Sequence, residues 1–434
     1  MTTSSKQNYT LPIVMMFALF AMISFVTGLQ NPLGLIVKDQ FALDNLGSQL
    51  PTFANFFAYA FLGIPAGLLL QKVGYKKTAL IAIAVGILGV ATMFCSGLIG
   101  GSSKSTFYIY LLGAFISGIS MCMLNTVVNP MLNTLGGGGN RGNQLIQFGG
   151  SCNSMAATIA PVLGGYLIAG VVGTKTIANA NPIFFIAMGI FALALIVLSA
   201  VNIPEPRLNA PKKDAEDKHS PLSFRHFILG AVAIGVYVGV EVGIPNIANL
   251  YMTNPLAEGG LGIDATTAGS IVGTYWFLML IGRLVGGVLG GKIASKTMLV
   301  AVSGLGLAFV VLAMILPATA TVSMPVFKSD ISFGLASGVP VRIMFLILCG
   351  LCTSVMWGGI FNLAVEGLGK YTEAASGIFM VMVCGGGILP LIQGFVADLT
   401  TYMTSYVVIV LSLVYLLYYA FIGSKNVNTD ISVE

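Results

Sequence analysis

The chain has 434 residues, of which 56% are hydrophobic and only 8% are Asp, Glu, Lys or Arg. A soluble domain carries about a quarter charged residues, so this chain could not cover a water-facing surface; a lipid-facing surface has no such need. The net charge of +5 comes from 20 basic and 15 acidic residues. It is not a nucleic-acid signal, and its meaning lies in where the charges fall along the chain.

A membrane helix needs about 20 mostly apolar residues. Twelve such spans are expected, at 11–37, 48–72, 77–99, 106–135, 143–171, 181–203, 225–253, 265–291, 297–317, 341–367, 373–396 and 401–423. The first shows no small-residue cleavage site before the chain re-enters the membrane, and reads as a span rather than a leader. The one long polar linker, 204–223, holds Lys212, Lys213, Asp214, Glu216, Asp217 and Lys218. It separates six spans (1–203) from six more (224–434). With the N-terminus inside, fourteen Lys and Arg fall in inner segments against five outside (Lys38, Lys104, Lys175, Lys328 and Arg342). That bias puts both termini in the cytoplasm. The 54 glycines suit helices that pack closely in lipid.

The two halves repeat. A shift of 219 residues carries Gly67 to Gly286 and Lys77-Thr78 to Lys296-Thr297. Leu135-Gly136 closes the fourth span as Leu368-Gly369 closes the tenth. Ile159-Ala160-Pro161 with Gly165 in the fifth is answered by Ile388-Leu389-Pro390 with Gly394 in the eleventh. Copies with an even number of spans share one topology. The expected fold is therefore an all-α membrane protein of two six-helix bundles, related by a pseudo-two-fold along the membrane normal, with a solute site between them near mid-membrane.

Pro65-Ala66-Gly67 before Lys72, Lys76 and Lys77 resembles the loop between spans two and three of the major facilitator superfamily. Asn125-Thr126-Val127-Val128-Asn129-Pro130 is similar to the span-four motif of its fucose/glucose/galactose symporter family. Asn153-Ser154 with Ile159-Ala160-Pro161, Tyr237 to Val242, Glu366 to Lys370, and Ile388 to Gly394 resemble further segments of that family. Asn31 and Asn125 stand where its fucose-type members carry carboxylates, and Gly358-Gly359 where the family has Pro-Thr. The resemblance implies a twelve-helix facilitator importing a hexose across a bacterial inner membrane, by proton symport with alternating access. Sodium coupling, uniport, and a different polar solute (an amino sugar, a disaccharide or a nucleoside) stay open. A non-transporting solute sensor is a more remote reading. A monomer is expected, with the lipid bilayer, the solute and a coupling ion as partners, and no nucleic acid or cofactor.

The chemistry-bearing residues fit no enzyme. His219 and His226 lie in or beside the linker, away from any paired carboxylate. The six cysteines sit in apolar stretches and read as small apolar side chains, with no disulfide or metal site. Gly136 to Gly139 lacks a P-loop lysine and reads as a loop. Ionisable groups inside spans mark function by default. Glu241, deep in the seventh span, is the expected proton carrier or sugar acceptor. Arg283 reads as an anchor or partner at a gate between the halves. Glu366, four residues before Lys370, reads as structural or gate-forming.

A sugar offers many hydroxyls and no charge. Its site needs neutral amides and an aromatic face, and unpaired buried amides select solutes that satisfy them. In the facilitator fold the first, fourth, seventh and tenth spans line the cavity. The expected solute contacts are Gln30, Asn31, Asn125, Asn129, Gln147, Glu241, Asn246, Trp276, Trp357, Asn362 and Gln393. The two tryptophans lie away from span ends and are candidates for stacking on a sugar ring.

Overall fold

The computed structural model describes residues 9–136, 139–169, 174–203, 205, 219–289, 293–328, 332–428 and 431. Most of the linker, Gly137-Gly138 of the glycine run, and the side chains of Gln147 and Lys370 lie outside the described residues. The fold is a bundle of helices: α1 Thr10–Gly28, α2 Gln30–Phe41, α3 Asn45–Val73, α4 Tyr75–Ile99, α5 Lys104–Leu135, α6 Gly139–Ala169 and α7 Asn181–Ala200 in the first half. The second half holds α8 Arg225–Thr253, α9 Ala265–Leu289, α10 Ser295–Ile315, α11 Val341–Thr353, α12 Met356–Val365, α13 Thr372–Met382, α14 Gly385–Leu399, α15 Tyr402–Ser405 and α16 Val407–Tyr418. Among the described residues, eleven helical stretches are long and apolar enough to cross a membrane, and α6 is a further helix of 31 residues packed among them. The chain is a multi-pass membrane protein.

Several spans are broken rather than straight, for local reasons. Pro32 has no N–H to return to the Gly28 carbonyl, and the first span turns between Gly28 and Gln30. In the tenth span, Thr353 Oγ1 donates to the carbonyls of Cys349 and Gly350, and Ser354 Oγ to that of Leu351. These hydroxyls compete with the backbone ladder just where α11 gives way to α12.

The halves pack alike. α1 lies on α6 as α8 lies on α14; α3 and α4 flank α5 as α9 and α10 flank α11; α4 touches α7 as α10 touches α16. Two seams join them, α6 against α9 and α3 against α13 and α14. Lipid gives no hydrophobic drive to helix pairing, so close backbone approach through small residues must supply it. A Cβ on Gly165 would lie 2.5 Å from the Ala265 carbonyl oxygen, and one on Gly269 2.6 Å from that of Pro161. Gly269→Val is expected to cost about 1–3 kcal/mol by overpacking, read as a lower melting temperature in detergent. An unchanged melting temperature would show that the seam yields there freely.

One element that apolar run length does not mark lies between the ninth and tenth spans. β1 Thr321–Phe327 and β2 Phe333–Pro340 form an antiparallel hairpin, with an irregularity between Val322 and Met324. It docks on α9: the Phe327 N–H donates to Thr274 Oγ1 at 3.1 Å, and the Phe277 ring meets those of Phe327 and Phe333 at 5.8 and 5.0 Å. The hairpin marks one end of the bundle. At this end the halves are tied by polar contacts. Asp398 on α14 accepts from the backbone N–H groups of Asn45 (2.8 Å) and Leu46 (2.7 Å), capping the N-terminus of α3. Lys38 reaches Glu258 at 3.8 Å and donates to Asn45 Oδ1 at 3.0 Å. Tyr402 donates to the same Asn45 oxygen and accepts from Asn254.

At the other end of the bundle, Glu205 caps α4 within the first half. It accepts from the N–H groups of Tyr75 (2.7 Å) and Lys76 (3.0 Å).

Candidate functional site

Two clusters lie between the halves, and both are built from residues the sequence makes conspicuous. The first centres on Glu241, half-way along α8. Arg283 Nη2, from α9, pairs with Glu241 Oε1 at 3.5 Å, and each side chain is 14% exposed. The other guanidinium nitrogen crosses to the first half. Arg283 Nη1 donates to the Gly150 carbonyl and to Ser154 Oγ, both at 2.8 Å, and lies 3.4 Å from Asn153 Oδ1. One arginine thus holds a carboxylate of its own half and the backbone of α6 in the other. Asn153 passes the tie on, donating to the Phe20 carbonyl of α1 at 3.1 Å.

Aromatic side chains frame this ion pair. Tyr237, one turn before Glu241, is fully buried with its hydroxyl beside both Glu241 and Arg283. Its ring meets Trp357 of α12 edge-on at 6.2 Å. Tyr275 donates to the Glu241 backbone carbonyl at 3.1 Å and lies 3.1 Å from Thr353 Oγ1, which binds α8, α9 and α11 together. Trp276 packs edge-to-face on Tyr275 at 5.2 Å. The result is a carboxylate–guanidinium pair framed by two phenols, each backed by an indole.

The second cluster is neutral. Asn249 Nδ2 donates to Asn31 Oδ1 (2.6 Å), Asn31 Nδ2 to Asn246 Oδ1 (2.9 Å), and Asn246 Nδ2 to Gln49 Oε1 (3.2 Å). Gln49 Nε2 ends the chain on Ser48 Oγ at 3.3 Å. A small polar pocket here is lined by Gln30, Asn31, Ser48, Gln49, Thr52, Asn246 and Asn249. Gln30 in that lining and Gln393 on α14 are 4% and 0% exposed, and neither amide has a hydrogen-bond partner on either atom among the described residues. Buried polar atoms without partners cost about 1–3 kcal/mol each and are rare in native proteins. Gln30 faces the pocket between the halves, while Gln393 lies beside Gly243 of α8 within the second half.

The sequence profile of the Major Facilitator Superfamily matches residues 15–390. The chain belongs to this superfamily. It is 29% identical over 429 residues to a glucose/galactose transporter of Brucella abortus biovar 1, covering 98% of this chain and 97% of that one. It is 23% identical over 417 residues to the L-fucose-proton symporter of Escherichia coli, covering 91% and 88%. The crystal structure of the Escherichia coli fucose:proton symporter matches with a TM-score of 0.68 at 21% identity, over 97% of this chain and 100% of that one. At that identity the likeness concerns the fold.

Within this facilitator, the residues singled out from sequence divide into groups. Asn31 bonds directly to Asn246, Glu241 pairs with Arg283, and Trp357 joins them through Tyr237. Asn125 is part-buried on α5 and donates to the Tyr59 hydroxyl at 2.8 Å, while Asn129 turns back to the Asn125 carbonyl at 3.0 Å. Two residues lie apart from both clusters. Asn362 is exposed and reaches Ser295 Oγ on α10 at 3.5 Å, away from both clusters. Glu366 is exposed at the end of α12, and its backbone carbonyl shares a hydrogen bond of 2.9 Å with His226 Nε2. Its pairing with Lys370, like the contacts of Gln147, lies outside the described side chains.

Sequence reasoning missed Gln49, Asn249 and Tyr59. Asn249 had a usable signal: it lies three residues after Asn246, on the same face of a helix. Gln49, at the start of the second span, looks from sequence like an interfacial residue.

Proposed function

We propose that this chain is a twelve-span facilitator whose six-span halves, 1–203 and 224–434, are related by a pseudo-two-fold along the membrane normal. Residues 204–223 form the linker, and linker and termini face the cytoplasm of a bacterial cell, in its inner membrane. The carrier imports a neutral hexose of the glucose, galactose or fucose kind together with a proton, as a monomer, by rocking of the halves about the central site.

The observation that carries this reading is the pairing of one intramembrane carboxylate, Glu241, with an arginine that also grips the opposite half. Glu241 is where a proton can be held, and Arg283 makes its charge state felt across the seam between the halves. The solute contacts are Gln30, Asn31, Asn125, Asn129, Gln147, Glu241, Asn246, Trp276, Trp357 and Gln393. Gln30 and Gln393 meet hydroxyls with amides that protein leaves unsatisfied. Trp357, next to the ion pair through Tyr237, offers a face to the apolar side of the ring. The names of the similar glucose/galactose and L-fucose-proton carriers support the solute class and the ion.

Labelled D-glucose and its competition by a panel of sugars, in energised and de-energised vesicles, test the reading. The expected result is accumulation that a protonophore abolishes and that D-galactose or L-fucose competes away. Equilibration without accumulation would make the protein a uniporter, and dependence on sodium would replace the proton. Failure of every neutral sugar to compete or be carried would end the hexose assignment.

A further inference from the structure

The amide chain of the second cluster alternates between the halves at every link. Asn249 (α8) donates to Asn31 (α2), Asn31 to Asn246 (α8), and Asn246 to Gln49 (α3). The partners lie 218, 215 and 197 residues apart in sequence. Every bond therefore crosses the seam, and every bond runs in the same donor-to-acceptor sense, ending on Ser48 and from there on the Asn45 carbonyl. Asn249 and Gln49, at the two ends, are 3% and 4% exposed.

We propose that Asn249 and Gln49 are positioning residues. They fix which way the amides of Asn31 and Asn246 point and, through those amides, latch the halves together on the hairpin side of the site. The proposal rests on the reading of the chain as a two-half carrier. Rocking the halves apart on this side breaks all three cross-links. The chain carries no charge, so no ion is stranded when it opens, and the freed amide groups meet water or solute hydroxyls at small cost. Because the bonds share one sense, the polarity of the chain is anchored where Gln49 donates to Ser48 and Ser48 to the Asn45 carbonyl, and it is completed by the donor that Asn249 supplies to Asn31. A residue at 249 that cannot donate forces Asn31, Asn246 and Gln49 to flip in concert or the chain to break.

That gives a test with distinct arms. Asn249→Leu offers neither donor nor acceptor and removes a cross-link. Asn249→Asp, ionised, can only accept, which a reversed chain satisfies: Gln49 to Asn246, Asn246 to Asn31, Asn31 to the carboxylate, with the Ser48 hydroxyl turning from the Asn45 carbonyl to Gln49 Oε1. Spin labels at Ser102 and Leu256, both exposed at the hairpin end of opposite halves, report separation there by pulsed electron resonance. They are read in reconstituted full-length protein without solute, on a background with the native cysteines replaced. Losing one hydrogen bond of ordinary strength should raise the separated-to-closed ratio about fivefold in Asn249→Leu. Asn249→Asp should stay within about twofold of the parent, and Gln49→Leu should repeat the leucine result from the other end. Melting temperatures identify any variant that merely fails to fold, in which case Asn249→Ala takes its place.

Equal ratios in parent and leucine variants would overturn the proposal. So would a shift in Asn249→Asp as large as in Asn249→Leu. The distances are read with no sugar present, so a wrong solute assignment would leave this result intact while glucose uptake failed.

Discussion

In Glu241→Gln the solute is expected to equilibrate across the membrane and no longer to accumulate. Glutamine keeps the shape and the hydrogen-bonding reach of the side chain but cannot exchange a proton. A potential of about 100 mV is worth about 2.3 kcal/mol for one charge carried inward, enough to support an about 50-fold gradient of a neutral solute. All of that gain passes through the group that takes up the ion. Uptake by energised vesicles should therefore fall to the level of de-energised ones, with protonophore having no further effect. Exchange of internal for external sugar should persist, because it needs no net proton movement. Proton-driven accumulation at the parental level in Glu241→Gln would remove this carboxylate from the mechanism.

Arg283→Leu carries the largest expected loss of stability, about 3–5 kcal/mol, as for a buried ion pair deprived of one partner. The guanidinium pairs with Glu241 and donates to the Gly150 carbonyl and Ser154 Oγ. Leucine leaves the carboxylate without its counter-charge and two acceptors on α6 without their donor. The companion variant separates these effects. In Arg283→Leu with Glu241→Gln, position 241 is neutral and needs no counter-charge. More than half of the lost stability should return, while the lost contacts to α6 keep the double variant below the parent. Chemical or thermal unfolding of the four proteins in one detergent gives the cycle. If the two single losses simply add, to within about 0.5 kcal/mol, the pair is not coupled and Arg283 serves only α6.

The reach of Arg283 also explains what could and could not be read from residue order. Its presence inside an apolar span advertised a special role, and so did that of Glu241 on the preceding span. Their pairing, across 42 positions, is a matter of how α8 and α9 are rotated against each other. Asn31 and Asn246 were conspicuous for the same reason, as amides deep in lipid-spanning segments. That they bond to one another, rather than each standing free for a solute, depends on the two halves meeting on the hairpin side. Asn362 shows the opposite case: it is an amide of the expected type in the tenth span, yet it is exposed and reaches Ser295 on α10 rather than either cluster. The hairpin Thr321–Phe327 and Phe333–Pro340 is not legible in the sequence, because two short strands carry too little periodicity to stand out between long apolar runs.

Composition and spacing alone determined that this protein lives in a bilayer. Lipid demands uninterrupted apolar stretches of span length, and residue order records these without reference to anything distant. The internal echo of Gly67 and Lys77 in Gly286 and Lys296 likewise follows from order alone. The tertiary structure decided which polar groups meet. Inside a membrane their direction around each helix, and the pairing of helices hundreds of residues apart, are set by packing between surfaces. A one-dimensional pattern gives depth and residue type, but not azimuth. The joining of Glu241 to Arg283 comes from how α8 packs on α9, while the grip of Arg283 on α6 and the amide chain from Asn249 to Gln49 exist only because the two halves meet.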